Sequence, residues 1–269
     1  MPIRKPSAWL LLLIPIGIAA QVGGRLGTGA AIPVLPTGSE WQIYLADDPA
    51  NWVDGATKQT LKDWSTLANH AYRGQDVAAD STDFTLASDG GVFDGSDDIA
   101  VSTAASGWTD VTAASGLVVF KANATNGCLL MTGAGVSIAL KSFGLCAGLV
   151  SGGDAAVTFH GGANNYRSAG GLIANGTWYC LIVTKAPGAI NTTTVIYLNN
   201  AVVSPFSSGT GTPSIGTSNP FVLGEYYTGY FNGTIAAGMF WKRTLTPTEA
   251  GDAYVYVKSR LAASGVTLP

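Results

Sequence analysis

Three aspartates crowd into the stretch VFDGSDDIAV: Asp94, Asp97 and Asp98. Clustered carboxylates with turn carbonyls nearby suit calcium, a hard cation that takes about six to eight oxygen ligands. The same residues suit a tight turn, with Gly95 and Ser96 at the bend and aspartate side chains accepting backbone N–H groups. The loop pattern of an EF-hand is absent, so the turn is the first reading and calcium the alternative. A second segment, GEYYTGYFNG, places Glu225 among Tyr226, Tyr227 and Tyr230. Aromatic faces stack on sugar rings, and a carboxylate accepts hydrogen bonds from hydroxyls, so this segment has glycan-contact chemistry. The plainer reading packs its tyrosines and phenylalanines between the last strand and a C-terminal helix.

Catalytic chemistry finds less purchase. Glycoside hydrolysis needs two carboxyl groups about 5–9 Å apart across a cleft. The glutamates are Glu40, Glu225 and Glu249, with no strand motif pairing them, and Glu249 sits where a helix cap is expected. No G-x-S-x-G occurs; His70 reads as a packing or turn residue and His160 as a strand-end residue. With two histidines beside three cysteines, no zinc-ligand spacing exists. Cys128, Cys146 and Cys180 sit in apolar runs and read as small buried hydrophobes; one bridge plus a spare thiol is the alternative. The expectation is a non-enzymatic chain with no cofactor, calcium aside. A net charge of −3 with scattered basic residues predicts no nucleic-acid partner.

These groups need a framework. Of 269 residues, 47% are hydrophobic and 12% charged, and 35 are glycine without a collagen period. Short apolar runs separated by turn residues continue from Trp41 onward, the texture of an all-β sandwich. The patterns predict strands at Ile99–Ser102, Gly116–Lys121, Cys128–Thr132, Val136–Leu140, Ala155–His160, Trp178–Lys185, Thr193–Leu198, Phe221–Gly224 and Ile235–Lys242. In VIYLNNAVV, Asn199 and Asn200 can take the positive φ of a type I′ hairpin turn. No strand–helix alternation appears, which argues against a parallel α/β sheet. One helix is expected over residues 247–263. Thr246 caps it, Pro247 opens it, Glu249 completes a T-x-x-E box, and Ala250, Ala253, Tyr254, Val257 and Leu261 form its apolar stripe. It is expected to pack on the edge of the sandwich. Asn123, Asn175, Asn191 and Asn232 begin N-x-[ST] triplets and read as turn residues.

The first 38 residues differ in kind. Arg4 and Lys5 precede an apolar run from Ala8 to Ala20 that holds Trp9, Leu10, Leu11, Leu12, Leu13, Ile14, Ile16 and Ile18. Prolines and glycines then continue to about Ser39. The run is short for a membrane span, which takes about 20 apolar residues, and Pro15 interrupts it. Retained, it is an anchoring arm that a neighbouring subunit must cover, which implies an oligomer or a larger assembly. Removed, it is a secretory signal peptide. The arm is the first reading.

Four segments carry a family resemblance. DWSTLANHAYRGQ (63–75) partly matches a W-x-D-x-S-G-x-x-N-H-A opening, with its first Asp and Gly replaced or shifted. VFDGSDDIAV (92–101) follows an FDGSDD strand–turn–strand. NGTWYCLIVTK through VIYLNNAVV (175–203) follows a GTWH…NG pattern, with Tyr179 where His is common. The last is FNGTIAAGMFWKRTLTPTEAGDAYVYVKSRLAASGVTLP (231–269). In this order they resemble the concanavalin A-like lectin/glucanase superfamily, in its laminin G-like branch. The resemblance implies an antiparallel jelly-roll β-sandwich over residues 39–269, and it allows calcium at a sandwich rim. It also suggests the setting of such domains: virion proteins of tailed bacteriophages (tail, fibre or capsid decoration) and bacterial surface proteins. The leading expectation is therefore a structural and binding protein of a virion, anchored by its arm, whose lectin-like domain touches host surface glycan. An exported or cell-surface bacterial lectin is the alternative, and a polysaccharide hydrolase is third.

Overall fold

The segment ASGLVVFKA has almost no polar alternation, and a strand of that kind must be covered on both faces. In the computed structural model it is. The structure describes residues 33–124, 127–132, 143–148, 152–159, 165–215, 220–226 and 229–269. The arm residues Trp9 to Ile18 lie outside these, as do the expected strand Val136–Leu140 and His160.

Ala114–Ala122 lies at the centre of an antiparallel sheet. On one side follow Trp178–Lys185, Thr194–Leu198 and Ala201–Val203; on the other lies the long strand Asn232–Trp241. The first half of that long strand pairs with Gly90–Asp94, which in turn pairs with Thr85–Ala87. Its second half pairs with Ser39–Tyr44. The second antiparallel sheet runs Ser207–Ser208, Asn165–Arg167, Ala155–Phe159, Phe143–Ala147, Gly127–Thr132, Pro220–Leu223, Ala100–Ala105, Ala71–Tyr72 and Thr60–Leu61. Asn199 and Asn200 take φ of +50° and +67° between paired strands, as the hairpin pattern requires.

Alternate residues divide between two cores. Val118, Phe120, Leu181, Val183 and Ile235 face the second sheet's Leu130, Leu145, Phe221 and Leu223. Rings fill the middle: Phe221 stacks on Trp41 and Phe240 at centroid distances of 5.3 and 5.0 Å, with Trp108 edge-on to Phe240 at 5.7 Å. Leu117, Val119, Cys180, Ile182, Met239 and Trp241 face the other way, onto the helix Pro247–Ala262. The helix thus covers the outer face of the first sheet and not an edge, because that face carries a second full set of apolar side chains. Arg260 holds it down by lying 3.9 Å over the Tyr44 ring and 4.7 Å over Trp64. Pro36 and Thr37 join the body as well, accepting from Trp241 Nε1 and Arg243 Nη2.

The opening segment is organised by one buried carboxylate. Asp63 Oδ1 accepts from the Gln42 and Ser65 amides, and Oδ2 from Ser65 Oγ and the Asn69 amide. His70 Nδ1 accepts from the Asp63 amide at 3.1 Å, the turn role expected of it. The cysteine reading needs correction. Cys180 is a buried thiol, but Cys128 and Cys146 stand opposite each other on adjacent strands and are joined by a disulfide. Strand register brings them together, and sequence spacing does not reveal register.

The helix cap generates a test. Thr246 Oγ1 accepts from the Glu249 amide, Glu249 Oε2 accepts from the Thr246 amide, and Arg243 holds both Glu249 oxygens at 2.6 and 3.0 Å. Arg243 first, then the Thr246 amide, lowers the Glu249 carboxyl to about 2. A depressed carboxyl contributes stability above its unfolded value of about 4.3, and that contribution fades as pH falls toward 2. Thr246→Ala should cost about 1 kcal/mol in urea unfolding at pH 7. Glu249→Gln should cost stability at pH 7 but almost none near pH 2.

Candidate functional site

The strand Gly90–Asp94 ends beside the start of Asn232–Trp241, with Asp94 directly opposite Asn232. Chain reversal follows at once, and Gly95 takes φ +85° to make it. Asp94 Oδ1 accepts from the Ser96 amide at 2.7 Å, and Asp98 Oδ2 accepts from the Asp94 amide at 2.6 Å. These side-chain-to-backbone bonds are the turn chemistry read from the sequence. Asp94, Asp97 and Asp98 also bring one oxygen each to within 4.8 Å of one another, graded from exposed through half-buried to buried. Oxygens not spent on the turn could serve a hard divalent cation. Burial, then the charges of Asp94 and Asp97, pushes the Asp98 carboxyl up to about 6, against the pull of the Asp94 amide and Arg73. Arg73 is pinned through its Nε, which donates to the Phe84 carbonyl at 2.7 Å.

The second segment is a hairpin. Glu225–Tyr226 pairs with Gly229–Tyr230, Glu225 opposite Tyr230, and the Phe231 amide closes the base by donating to the Gly224 carbonyl at 2.8 Å. Glu225 and Tyr230 are half-buried. Only the backbone of Tyr226 is described, and Tyr227 lies outside the described residues. Phe231 belongs to the inter-sheet core and not to the cluster under the helix. Phe231 turns inward, its ring 6.3 Å from Phe93 and 6.2 Å from Phe120, and the tyrosine-bearing strands form a two-stranded sheet of their own. The apolar partner for this segment is the inter-sheet core, which lies on the far side of the first sheet from the helix.

Two segments separated by more than a hundred residues therefore share one rim. Asn232 Nδ2 donates to the Asp94 carbonyl at 2.7 Å. Gly224, at φ +87°, lies so close that an added Cβ would stand 2.5 Å from the Phe93 ring and 3.0 Å from the Asp98 carbonyl oxygen. Neither contact was readable from the sequence: Asn232 looked like any turn asparagine and Gly224 like a strand end. A separate groove of about 360 Å³ lies between Leu35, Pro36, Gln42, Trp64, Thr66 and Tyr256. Its indole already carries Lys62 at 4.3 Å and Arg260 at 4.7 Å, so its π surface is committed within the protein.

Two outcomes follow for the rim. Asp98 retains its proton between about pH 4 and 6, where the unfolded chain has lost it, so its contribution to stability declines as pH rises through that window. The urea midpoint of Asp98→Asn should match wild type near pH 4 and exceed it at pH 7 in chelator; a constant difference would contradict the assignment. Gly224→Ala meets both a left-handed φ and an aromatic ring, and should destabilise by about 1–3 kcal/mol in the same measurement.

Comparison with known proteins places this geometry. A family model described as the concanavalin A-like lectin/glucanases superfamily matches residues 93–251. No curated protein sequence matches the chain. Solved structures share the fold at low identity. Domain 4 of AbnA, a GH43 extracellular arabinanase from Geobacillus stearothermophilus in complex with arabinotriose, is 15% identical with a TM-score of 0.52. The match covers 81% of this chain and 98% of that domain. Trypanosoma rangeli sialidase in complex with sialic acid is 14% identical with a TM-score of 0.52, over 87% of this chain and 35% of the sialidase. The botulinum neurotoxin serotype D binding domain is 11% identical with a TM-score of 0.51, over 81% of this chain and 50% of that one. The chain thus spans about a third of the sialidase and half of the neurotoxin domain. With more than half of its length matched by the family model and both sheets in place, the chain belongs to the concanavalin A-like lectin/glucanase superfamily.

Proposed function

We infer that this chain is a non-catalytic, lectin-like binding module whose glycan site is the rim formed by the Asp94–Asp98 turn and the Glu225–Tyr230 hairpin. The observation that carries the reading is the junction at Asn232 and Gly224, which brings the backbone of the acidic turn against the two ends of the hairpin segment. Sugars are recognised by carboxylates and aromatic rings together: carboxylates accept from hydroxyls, and aromatic faces cover the C–H face of a ring. The arabinanase domain and the sialidase, both in complex with saccharides, lend support from structures of the same fold. Calcium held by Asp94, Asp97 and Asp98 is part of the proposal and would order the turn.

Glu249 and Asp98 are poorly placed for hydrolysis. A glycosidase acid must hold a proton and also reach a glycosidic oxygen. Glu249 is held at about 2 by Arg243, so it has no proton to give at neutral pH. Asp98 is raised, but it is only 5% exposed and its Oδ2 is engaged by the Asp94 amide.

The proposed setting is a tailed-phage virion, with residues 1–38 anchoring the module in a neighbouring subunit and the rim meeting host glycan. The second setting is an exported or cell-surface protein. The Cys128–Cys146 disulfide belongs to an oxidising environment, which a virion surface and the cell exterior share.

A glycan array with and without calcium tests the site. Tyr230→Ala and Glu225→Gln should each weaken binding to the best ligand about tenfold, roughly 1.4 kcal/mol, in protein that circular dichroism shows to be folded. No new reducing ends should appear on incubation. Absence of any glycan ligand, or unchanged affinity in both variants, would overturn the reading. Mass spectrometry of the mature N-terminus separates the settings: a start at Met1 or Pro2 supports the arm, and one near Gln21 supports export.

A further inference from the structure

The hairpin is anchored to the second sheet at two points on one strand. The Gly224 amide donates to the Leu129 carbonyl at 3.2 Å. At Gly127 an added Cβ would stand 3.2 Å from the Phe231 backbone, so the two main chains touch there. The residue between these anchors is Cys128. Its side chain points away from the inter-sheet core, into a small buried cluster with Met131, Cys146 and Ala156. Its partner Cys146 sits on Phe143–Ala147, directly across the ladder, where the pairing carries an irregularity between Cys128 and Leu130. A strand with a bulge at that place has a weakened ladder where the hairpin needs a firm base.

We propose that the Cys128–Cys146 disulfide positions the rim hairpin, acting as a redox-dependent staple that fixes the strand on which Gly224 and Phe231 rest. The inference builds on the rim as the binding site and adds a control to it. Forming the bridge removes two protons and two electrons from the Cys128 and Cys146 thiols. Those electrons reduce a disulfide oxidant of the oxidised-glutathione class to two thiols. Cys180 takes no part. It lies on the other sheet, under the helix, in a different cluster from Cys128 and Cys146.

The consequence is local. Cys128 and Cys146 connect neighbouring strands of the second sheet, whereas the first sheet and the helix carry their own core. Reduction should therefore loosen the hairpin before it loosens the fold.

The full-length chain tests this in three steps. Alkylation of denatured, unreduced protein should block Cys180 alone of the three cysteines, and all three after reduction. Three blocked cysteines without reductant would overturn the proposal. Amide hydrogen exchange is then compared in oxidised protein, reduced protein and protein reoxidised with oxidised glutathione. Reduction should lower protection of the Gly224 and Phe231 amides about tenfold, reoxidation should restore it, and amides of Ala114–Ala122 should keep theirs. Unchanged hairpin protection, or an equal loss across both sheets, would overturn a positioning role. The double variant Cys128→Ser, Cys146→Ser should match the reduced protein; should it not fold, the wild-type redox series still decides. Exchange reads the hairpin whether or not any sugar binds. A redox-dependent hairpin with no glycan ligand would keep this inference while removing the proposed function, and glycan binding with redox-independent protection would do the opposite.

Discussion

The rim exists because two backbone segments come into contact at a point where no side chain fits. Gly224 leaves the second sheet against the Phe93 ring, on the strand Gly90–Asp94, and the Asp98 carbonyl, in the turn that follows it. Asn232 then ties the start of the longest strand to that same turn. Remove the close approach and the hairpin would stand off the acidic turn by at least a side-chain layer. The two groups of polar residues would then be separate surface features.

That contact has a stiff support. The first sheet is buried on both faces, by the second sheet on one side and by the capped helix on the other. Interiors packed in this way have few rearrangements open to them, so the strand ends that bear Asp94 and Asn232 hold their separation. Several other polar side chains of the described residues serve construction. Asp63 gathers the opening segment, Glu249 and Arg243 seal the helix start, and Lys62 and Arg260 lie on Trp64.

Local chemistry was legible in the sequence and long-range partnership was not. Trp178–Lys185 has the bounds its apolar run implies, because a fully buried strand shows as an unbroken hydrophobic stretch. The Thr246 capping box and the Asn199–Asn200 turn are written within four residues each, and both form. The Asp94 turn reads correctly for the same reason. By contrast, Phe231 looks like a packing residue for the helix until the strand's alternation is fixed, and register decides that it faces the inter-sheet core. Cys128 and Cys146 are indistinguishable from Cys180 by composition; which pair meets depends on which strands are neighbours. Ser39–Tyr44 and Phe143–Ala147 escaped notice because the first follows a proline-rich stretch and the second is short and glycine-interrupted.

Heteronuclear NMR gives the most direct reading of the central claim, by following backbone amides while the strongest array glycan is titrated in. The account predicts that the largest shifts cluster at Gly95–Asp98, Glu225, Tyr230 and Asn232, with the far end of the sandwich unmoved. Shifts centred on the groove between Trp64 and Tyr256, with those amides silent, would contradict it.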